Sequence, residues 1–227
     1  RATNHISYPY NGIMHHYKNN KRMFDMMVTP NHEMLCVGGT KRNKWKFVKS
    51  EDLGVSQALI RRNKLFDGDC DTFAELVGFY IGDGYYDTNR DIVSFNLKRE
   101  RKIDYLIDLL DSLEIKYSTG NRDKNGMVRI DVFNDELLDI ARKIGKTDSK
   151  YIPYNIDQLE MEFVAGLLNG LMNSDGNWDS NRFWTTSDRL RDDVMHIACI
   201  LGYQPWYTQF DRTTELRGKK YQNNTSR

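Results

Sequence analysis

Leu76-Val77-Gly78-Phe79-Tyr80-Ile81-Gly82-Asp83-Gly84 is the stretch on which the reading of the whole chain turns. Gly78 and Gly82 stand four residues apart, so on a helix they share one face and leave it nearly bare. A bare face lets a second helix approach closely, for the same steric reason that operates between membrane helices. The chain supplies that second helix: Leu168-Asn169-Gly170-Leu171-Met172-Asn173-Ser174-Asp175-Gly176 repeats the pattern, with Gly166, Gly170 and Ser174 spaced by four. Each segment ends in Asp-Gly, which puts an acid where the unpaired carbonyls of a helix C-terminus already make the field negative. One Asp-Gly there reads as an ordinary helix stop. Two copies, on two helices suited to packing together, put two carboxylates side by side. Hard divalent cations relieve their repulsion, and metals held between carboxylates and phosphate oxygens can activate water for phosphodiester displacement.

Outward from these helices the order of elements repeats. Thr72 and Glu75 read as a capping box at the start of the first helix. Strands are expected over 84–88 and 92–98, the second alternating Val93, Phe95 and Leu97 with Ser94, Asn96 and Lys98. Residues 99–113 form an amphipathic helix with Ile103, Leu106, Ile107 and Leu110 on one side. A hairpin turning at Asn125-Gly126 follows, then a helix over 135–144. The second round opens with Asp157 and Glu160 as a helix start. It continues with a hairpin over 177–186, a Ser187-capped helix to 201, a strand over 204–210 and a basic turn. By analogy with the first round, one strand and one helix are absent.

The two motif segments and the order of elements around them resemble the paired LAGLIDADG motifs of the homing endonucleases, over residues 70–227. The resemblance implies an α+β fold of two pseudo-symmetric αββαββα repeats, at 69–153 and 154–227, the second C-terminally incomplete. Together they would form a β-saddle that lies on DNA. It implies a site-specific double-strand DNA endonuclease, acting as a monomer on a long pseudo-palindromic target. It further implies that Asp83 and Asp175 bind Mg2+ (or Mn2+), helped by the backbone carbonyls of Gly82 and Ser174. Lys150-Tyr151-Ile152-Pro153 resembles the family's lysine block, whose ammonium organises water and stabilises charge at the scissile phosphate. As bare chemistry Lys150 also reads as a surface lysine before a proline-ended linker. A symmetry-related lysine would follow the closing helix of the second repeat, which the pattern does not reach. A nucleic-acid-binding protein on the same scaffold, of maturase or regulator type and without cleavage, stays open beside the enzyme.

On the saddle, alternate side chains should face DNA. The candidates are Tyr86, Arg90, Ser94, Asn96 and Lys98, then Arg122, Lys124 and Arg129 on the second hairpin. The second repeat adds Asn177, Asp179, Asn181, Arg182, Gln204, Thr208 and Arg212. Arg and Asn suit paired contacts with guanine and adenine edges. A register slip of one residue would exchange the face presented.

Residues 1–68 read as strands and turns, with a turn at Asn11-Gly12 and apolar runs at 24–28, 34–37 and 45–48. Val28-Thr29-Pro30-Asn31-His32, with the segment 45–53, resembles the Hint fold of inteins, here in partial form. That resemblance implies that His32 polarises a splice-junction peptide and that Thr29 supports it. The chain starts at Arg1 and finishes at Arg227 without the terminal residues of a splicing intein, so splicing is not expected of it as it stands. Self-processing is the third reading. His32 and Cys36 lack a second ligand pair, which argues against zinc.

The net charge of +1 announces no nucleic-acid partner, but its distribution is uneven. Lys41, Arg42, Lys44, Lys46 and Lys49 crowd one segment, and Arg212, Arg217, Lys219, Lys220 and Arg227 another. Such runs neutralise phosphates or form solvated faces; Lys44 and Lys46 are the N-terminal candidates for DNA contact. With 39% hydrophobic and 29% charged residues the composition is that of a globular protein. No stretch approaches the roughly 18 apolar residues of a membrane span, and no signal-peptide pattern opens the chain. Three scattered cysteines, Cys36, Cys70 and Cys199, suggest a reducing intracellular setting.

Overall fold

Short alternating runs broken by Gly, Asn and Pro give the described residues of the first part of the chain short strands and one 3-10 turn, Ser50–Asp52; the longer 3.6-period runs that follow give helices and strands in alternation. The structure, a computed structural model, describes residues 9–18, 25–37, 45–54, 58–59, 65–144, 147–216 and 219–226. It divides into two compact units, residues 1–62 and 63–227. In the first, β1 (His15–Lys18) pairs antiparallel with β2 (Asp25–Val28). β3 (Glu33–Val37) lies between β4 (Trp45–Lys49) and β5 (Ala58–Leu59), antiparallel to both. Among its described residues Val28, Met34 and Cys36 form the buried core.

The second unit runs α1 (Thr72–Asp83), β6 (Gly84–Asp87), β7 (Ile92–Leu97), α2 (Glu100–Ser112), β8 (Lys116–Thr119), β9 (Val128–Phe133) and α3 (Asp135–Lys143). It then begins again with α4 (Met161–Ser174), β10 (Gly176–Asn177), β11 (Arg182–Phe183), α5 (Asp188–Ile200), β12 (Gln209–Leu216) and β13 (Lys219–Ser226). The strands of the first round form one antiparallel sheet in the order β6-β7-β9-β8. Those of the second form two separate hairpins, β10–β11 and β12–β13. No helix among the described residues is long and apolar enough to cross a membrane.

Helices α1 and α4 are apolar on nearly every side, and a helix of that kind belongs inside a core. They pack against one another along their small-residue faces. A Cβ on Gly78 would fall well inside 3.0 Å of the Leu167 carbonyl, and one on Gly170 well inside 3.0 Å of the Glu75 carbonyl. Only glycine permits backbone that close. Beside the glycine face α1 carries Phe79, whose ring lies 5.8 Å from that of Phe95 on β7 and 5.3 Å from Tyr105 on α2. Leu106 and Leu110 of α2, Ile130 of β9 and Leu137 of α3 close the same core, all fully buried. Leu167 and Leu171 of α4 and Ile197 of α5 continue it through the second round.

Four details depart from the sequence expectations. The cap of α1 is Asp71, not Thr72: its carboxylate accepts from Ala74 N at 2.7 Å, which leaves Glu75 to accept from Tyr105 Oη at 2.7 Å. Asp157 and Glu160 do not open α4 as a box. Asp157 belongs to a short 3-10 turn, and Glu160 stands at the N-cap, its side chain accepting no capping hydrogen bond from the helix. The strand expected over 204–210 starts only at Gln209, beyond Pro205, which has no N–H to give a ladder, so Gln204 and Thr208 lie ahead of β12. The strand thought absent from the second round is present as β13, paired with β12 from Gln209–Ser226 to Leu216–Lys219; a polar run broken only by Tyr221 gave no period-two signal.

Candidate functional site

Both motif acids end their helices: Asp83 is the last residue of α1, and Asp175 follows α4 as its C-cap. Close packing of the glycine faces brings the two ends together. A Cβ on Gly82 would collide with the Ser174 side chain and stand 3.5 Å from Asp175 N. The two carboxylates feel one another. Packed surroundings push the Asp175 carboxyl up, and the negative charge of Asp83 pushes it further, against the pull of Lys102 and Lys150. Asp175 nevertheless keeps solvent contact, as expected of a group at the floor of an open cleft rather than inside a core. That cleft measures about 280 Å3 and is lined by Gly82, Lys150, Asp175, Trp184, Thr185 and Thr186, among others.

Lys150 reaches the acids from the linker between the two rounds. Its Nζ donates to the Gly82 carbonyl at 2.7 Å and lies 3.4 Å from that of Gly84. Burial lowers the pKa of this ammonium, while Asp175 and Asp83 raise it. The linker is fixed from the far side by α5. Ser187 accepts from Leu190 N at 3.1 Å as N-cap, and its hydroxyl donates to the Lys150 carbonyl at 2.6 Å. Ile152 N donates to Asp193 at 2.9 Å, and the Arg189 guanidinium lies 3.7 Å from the Tyr151 ring centre. The surface-lysine alternative for Lys150 therefore does not describe its position. Of the two carbonyls expected to assist a metal, that of Gly82 already accepts from Lys150. Ser174 is buried, and its hydroxyl donates to Leu171 O at 2.7 Å.

The first turn of α2 brings two cations that motif reading passed over. Lys102 forms an ion pair with Asp83, both side chains less than a fifth exposed. Arg101 donates to the Asn173 carbonyl at 3.3 Å, two residues before Asp175. The signal was present in Arg99-Glu100-Arg101-Lys102, directly after β7, but an amphipathic count weighs only the apolar side of a helix.

The outer face of the four-stranded sheet is set by its register. Tyr85 pairs with Ser94, and Ser94 with Asp131, so Tyr85, Ser94, Arg129 and Asp131 lie on the face turned from the core. Tyr86 falls on the inner face, partly buried against the core, its hydroxyl donating to Asp91 at 2.6 Å; the expected outward position belongs to Tyr85. Ser94 is covered: its hydroxyl donates to Asp131 at 2.6 Å. Arg129 donates to Asp131 and Asp87, each at 2.8 Å, and Arg90 to Asp131 at 2.7 Å. Asn96, Lys98 and Lys124 are exposed, and Arg122 is ion-paired with Glu100. In the second round Asn177, Asp179, Asn181 and Arg182 are exposed on the small hairpin. Thr208 is half-buried, and the side chain of Arg212 lies outside the described residues, as does Lys44; Lys46 is exposed on β4. In the N-terminal unit one turn joins the two candidate splicing residues, His32 N donating to Thr29 O at 3.0 Å, with the His32 side chain exposed. A larger cleft of about 460 Å3, floored by Leu168, Met172 and Val194, contains neither motif acid.

No protein-family model matches the chain. Transcription initiation factor IIB of Methanocaldococcus jannaschii is 23% identical over 175 residues, covering 75% of this chain and 24% of that protein. The chain thus spans about a quarter of the length of this relative. Structural neighbours include full-length DUF199/WhiA from Thermatoga maritima, at 14% identity and TM-score 0.46, covering 72% of this chain and 52% of that one. They include the homing endonuclease I-DmoI, in a structure of its mesophilic variants, at 20% identity and TM-score 0.41, covering 68% and 87%. The N-terminal LAGLIDADG domain of DUF199/WhiA matches at 13% identity and TM-score 0.43, covering 68% and 74%.

Proposed function

We propose that the chain is a site-specific, metal-dependent DNA endonuclease of the LAGLIDADG type. The observation that carries this reading is the meeting of Asp83 and Asp175 at the shared end of two glycine-faced helices, with Lys150 beside them and a cleft open to solvent. The donor set suits Mg2+ or Mn2+. Among the described residues no three His, Cys, Asp or Glu side chains gather into a metal cluster. Two hard carboxylates are the donor set of a cation that keeps its waters and takes phosphate oxygens as further ligands. Such cations, held by Asp83 and Asp175, would supply an activated water and charge neutralisation at the leaving oxygen.

The chain's own residues do the remaining work. Lys150, its ammonium fixed by the Gly82 carbonyl, holds positive charge where a scissile phosphate enters the cleft. Asn96 and Lys98 offer polar groups to base edges and phosphates, and Arg90 and Arg129 are pre-oriented there by Asp131. Lys124 and Arg122 in the β8–β9 loop, and Asn181, Arg182, Thr208 and Arg212 in the second round, extend the footprint. Because both acids come from one chain, a monomer suffices. The two rounds act as pseudo-symmetric halves, and a pseudo-palindromic duplex matches them. Thr29 and His32 are the remnant of a splicing block, which makes the uninterrupted sequence of the host gene the target.

The test is a supercoiled plasmid carrying the coding sequence that flanks this chain, joined without interruption. Linearisation that needs Mg2+ and disappears in Asp83→Ala and Asp175→Ala is expected. One observation favours a second reading, a DNA-binding protein that does not cut: Asp83 is held in an ion pair with Lys102 of the chain itself. Tight, site-specific retention of the intact plasmid at all Mg2+ concentrations is the outcome that decides for it.

A further inference from the structure

The acid pair is matched by two lysines. Asp83 is paired with Lys102, and the ammonium of Lys150 lies close enough to both carboxylates to feel their charge. Two carboxylates and two ammonium groups cancel, so this centre is electrically complete before any metal arrives. A divalent cation entering between the acids meets an ammonium already in contact with one of its ligands, and two cations on a single carboxylate repel. One lysine has to give way, and the surroundings of the two differ. Lys150 is anchored on main-chain oxygens of Gly82 and Gly84, and its own backbone is tied to Ser187. Lys102 bonds through its ammonium to Asp83. Its helix is steadied independently by Arg101, which holds the Asn173 carbonyl at the end of α4. The side chain of Lys102 can therefore swing to solvent while α2 stays in place.

Resting on the metal-dependent reading above, we propose that Lys102 is a tethered cation that fills the place of a metal at Asp83 and is displaced when a divalent cation binds. It raises the metal concentration at which the acid pair becomes loaded. It also keeps two adjacent carboxylates from repelling one another in the metal-free protein.

Mn2+ binding to the whole chain without DNA, followed by the electron paramagnetic resonance signal of free Mn2+, tests this directly. Lys102→Met keeps the length of the side chain and removes its charge; it is expected to bind Mn2+ at least tenfold more tightly than the natural chain. Equal or weaker binding by Lys102→Met, with the natural chain binding and Asp83→Asn not, overturns the displacement and leaves the metal site standing. No Mn2+ binding by either chain, or binding unaffected by Asp83→Asn, overturns the metal reading and the displacement with it. A second measurement needs no variant at Lys102. Acetylation of the natural chain by an N-hydroxysuccinimide ester, read by peptide mass spectrometry, should increase severalfold at Lys102 on saturation with Mn2+. Unchanged reactivity at saturation means that Lys102 stays on Asp83, and the proposal fails.

Discussion

Asp131 shows how one residue ties the exposed face of the sheet to the stability of the fold. Burial pushes its carboxyl up, but hydrogen bonds from Ser94, Arg129 and Arg90 outweigh burial and hold it below the ordinary value of 3.8. A carboxylate whose folded pKa lies below its unfolded one stabilises the fold at every pH above the ordinary carboxylate range. That contribution disappears as pH falls through the folded pKa. Asp131→Asn is therefore expected to cost roughly 1–2 kcal/mol at pH 7, discounted for the half-exposed arginines. The difference from the natural chain should shrink steadily as pH is lowered below 3.8. Urea unfolding at pH 7 and again in acid measures it; a gap of constant size would mean that the charge of Asp131 contributes nothing. The alternation along β7 made Ser94 legible as a polar position. Its covering by Asp131, thirty-seven positions along the chain, was not, because the register between β7 and β9 is fixed by tertiary pairing.

Helices α1 and α4 were the most legible elements, since spacing of four and a terminal Asp-Gly are local signals. Gly170 tests their packing. A Cβ there would press on the Glu75 carbonyl and on Phe79 N, both main-chain atoms that cannot rotate away. Gly170→Ala should destabilise the second unit by about 2 kcal/mol or more, the scale of overpacking in a close core, even though alanine is the better helix former. Thermal unfolding checks the sign: a stabilised variant would mean the helices stand further apart. Helix α5 carries a subtler test, because Ser187 both caps it and holds the Lys150 carbonyl. Ser187→Ala is expected to cost about 1 kcal/mol as a lost cap and, on the nuclease proposal, to reduce the rate of cleavage more than DNA affinity. Ser187→Thr, which keeps the hydroxyl, should restore both; a loss confined to stability would reduce Ser187 to a cap alone. The Ser cap of α5 was readable in the sequence. Its second bond was not, since nothing local announces that the linker at 150–152 lies on that helix.

At the scale of the molecule, the two units have separate cores. Among the described residues, Val28, Met34 and Cys36 are packed by Tyr17, Met26, Val48 and Leu53 of the first unit, and the large core runs from Phe66 to Leu201 in the second. Both motif acids, Lys150, Lys102 and the four-stranded sheet belong to the second unit. A chain cut to residues 63–227 should therefore fold and keep the main unfolding transition of the full chain and, on the nuclease proposal, cut the same site. What it loses is the basic run from Lys41 to Lys49, of which Lys46 and Lys49 are exposed on β4. Each phosphate contact removed lowers the slope of log affinity against log salt by about one, without altering which sequence is chosen. The shortened chain is thus expected to bind more weakly at low salt, with a shallower salt dependence and unchanged specificity. Fluorescence anisotropy with a cleavable and a scrambled duplex, titrated with KCl, separates the possibilities. An unchanged slope would confine the DNA footprint to the second unit and leave the basic run as a solvated face. A change in the preferred sequence would make the first unit a reader of bases.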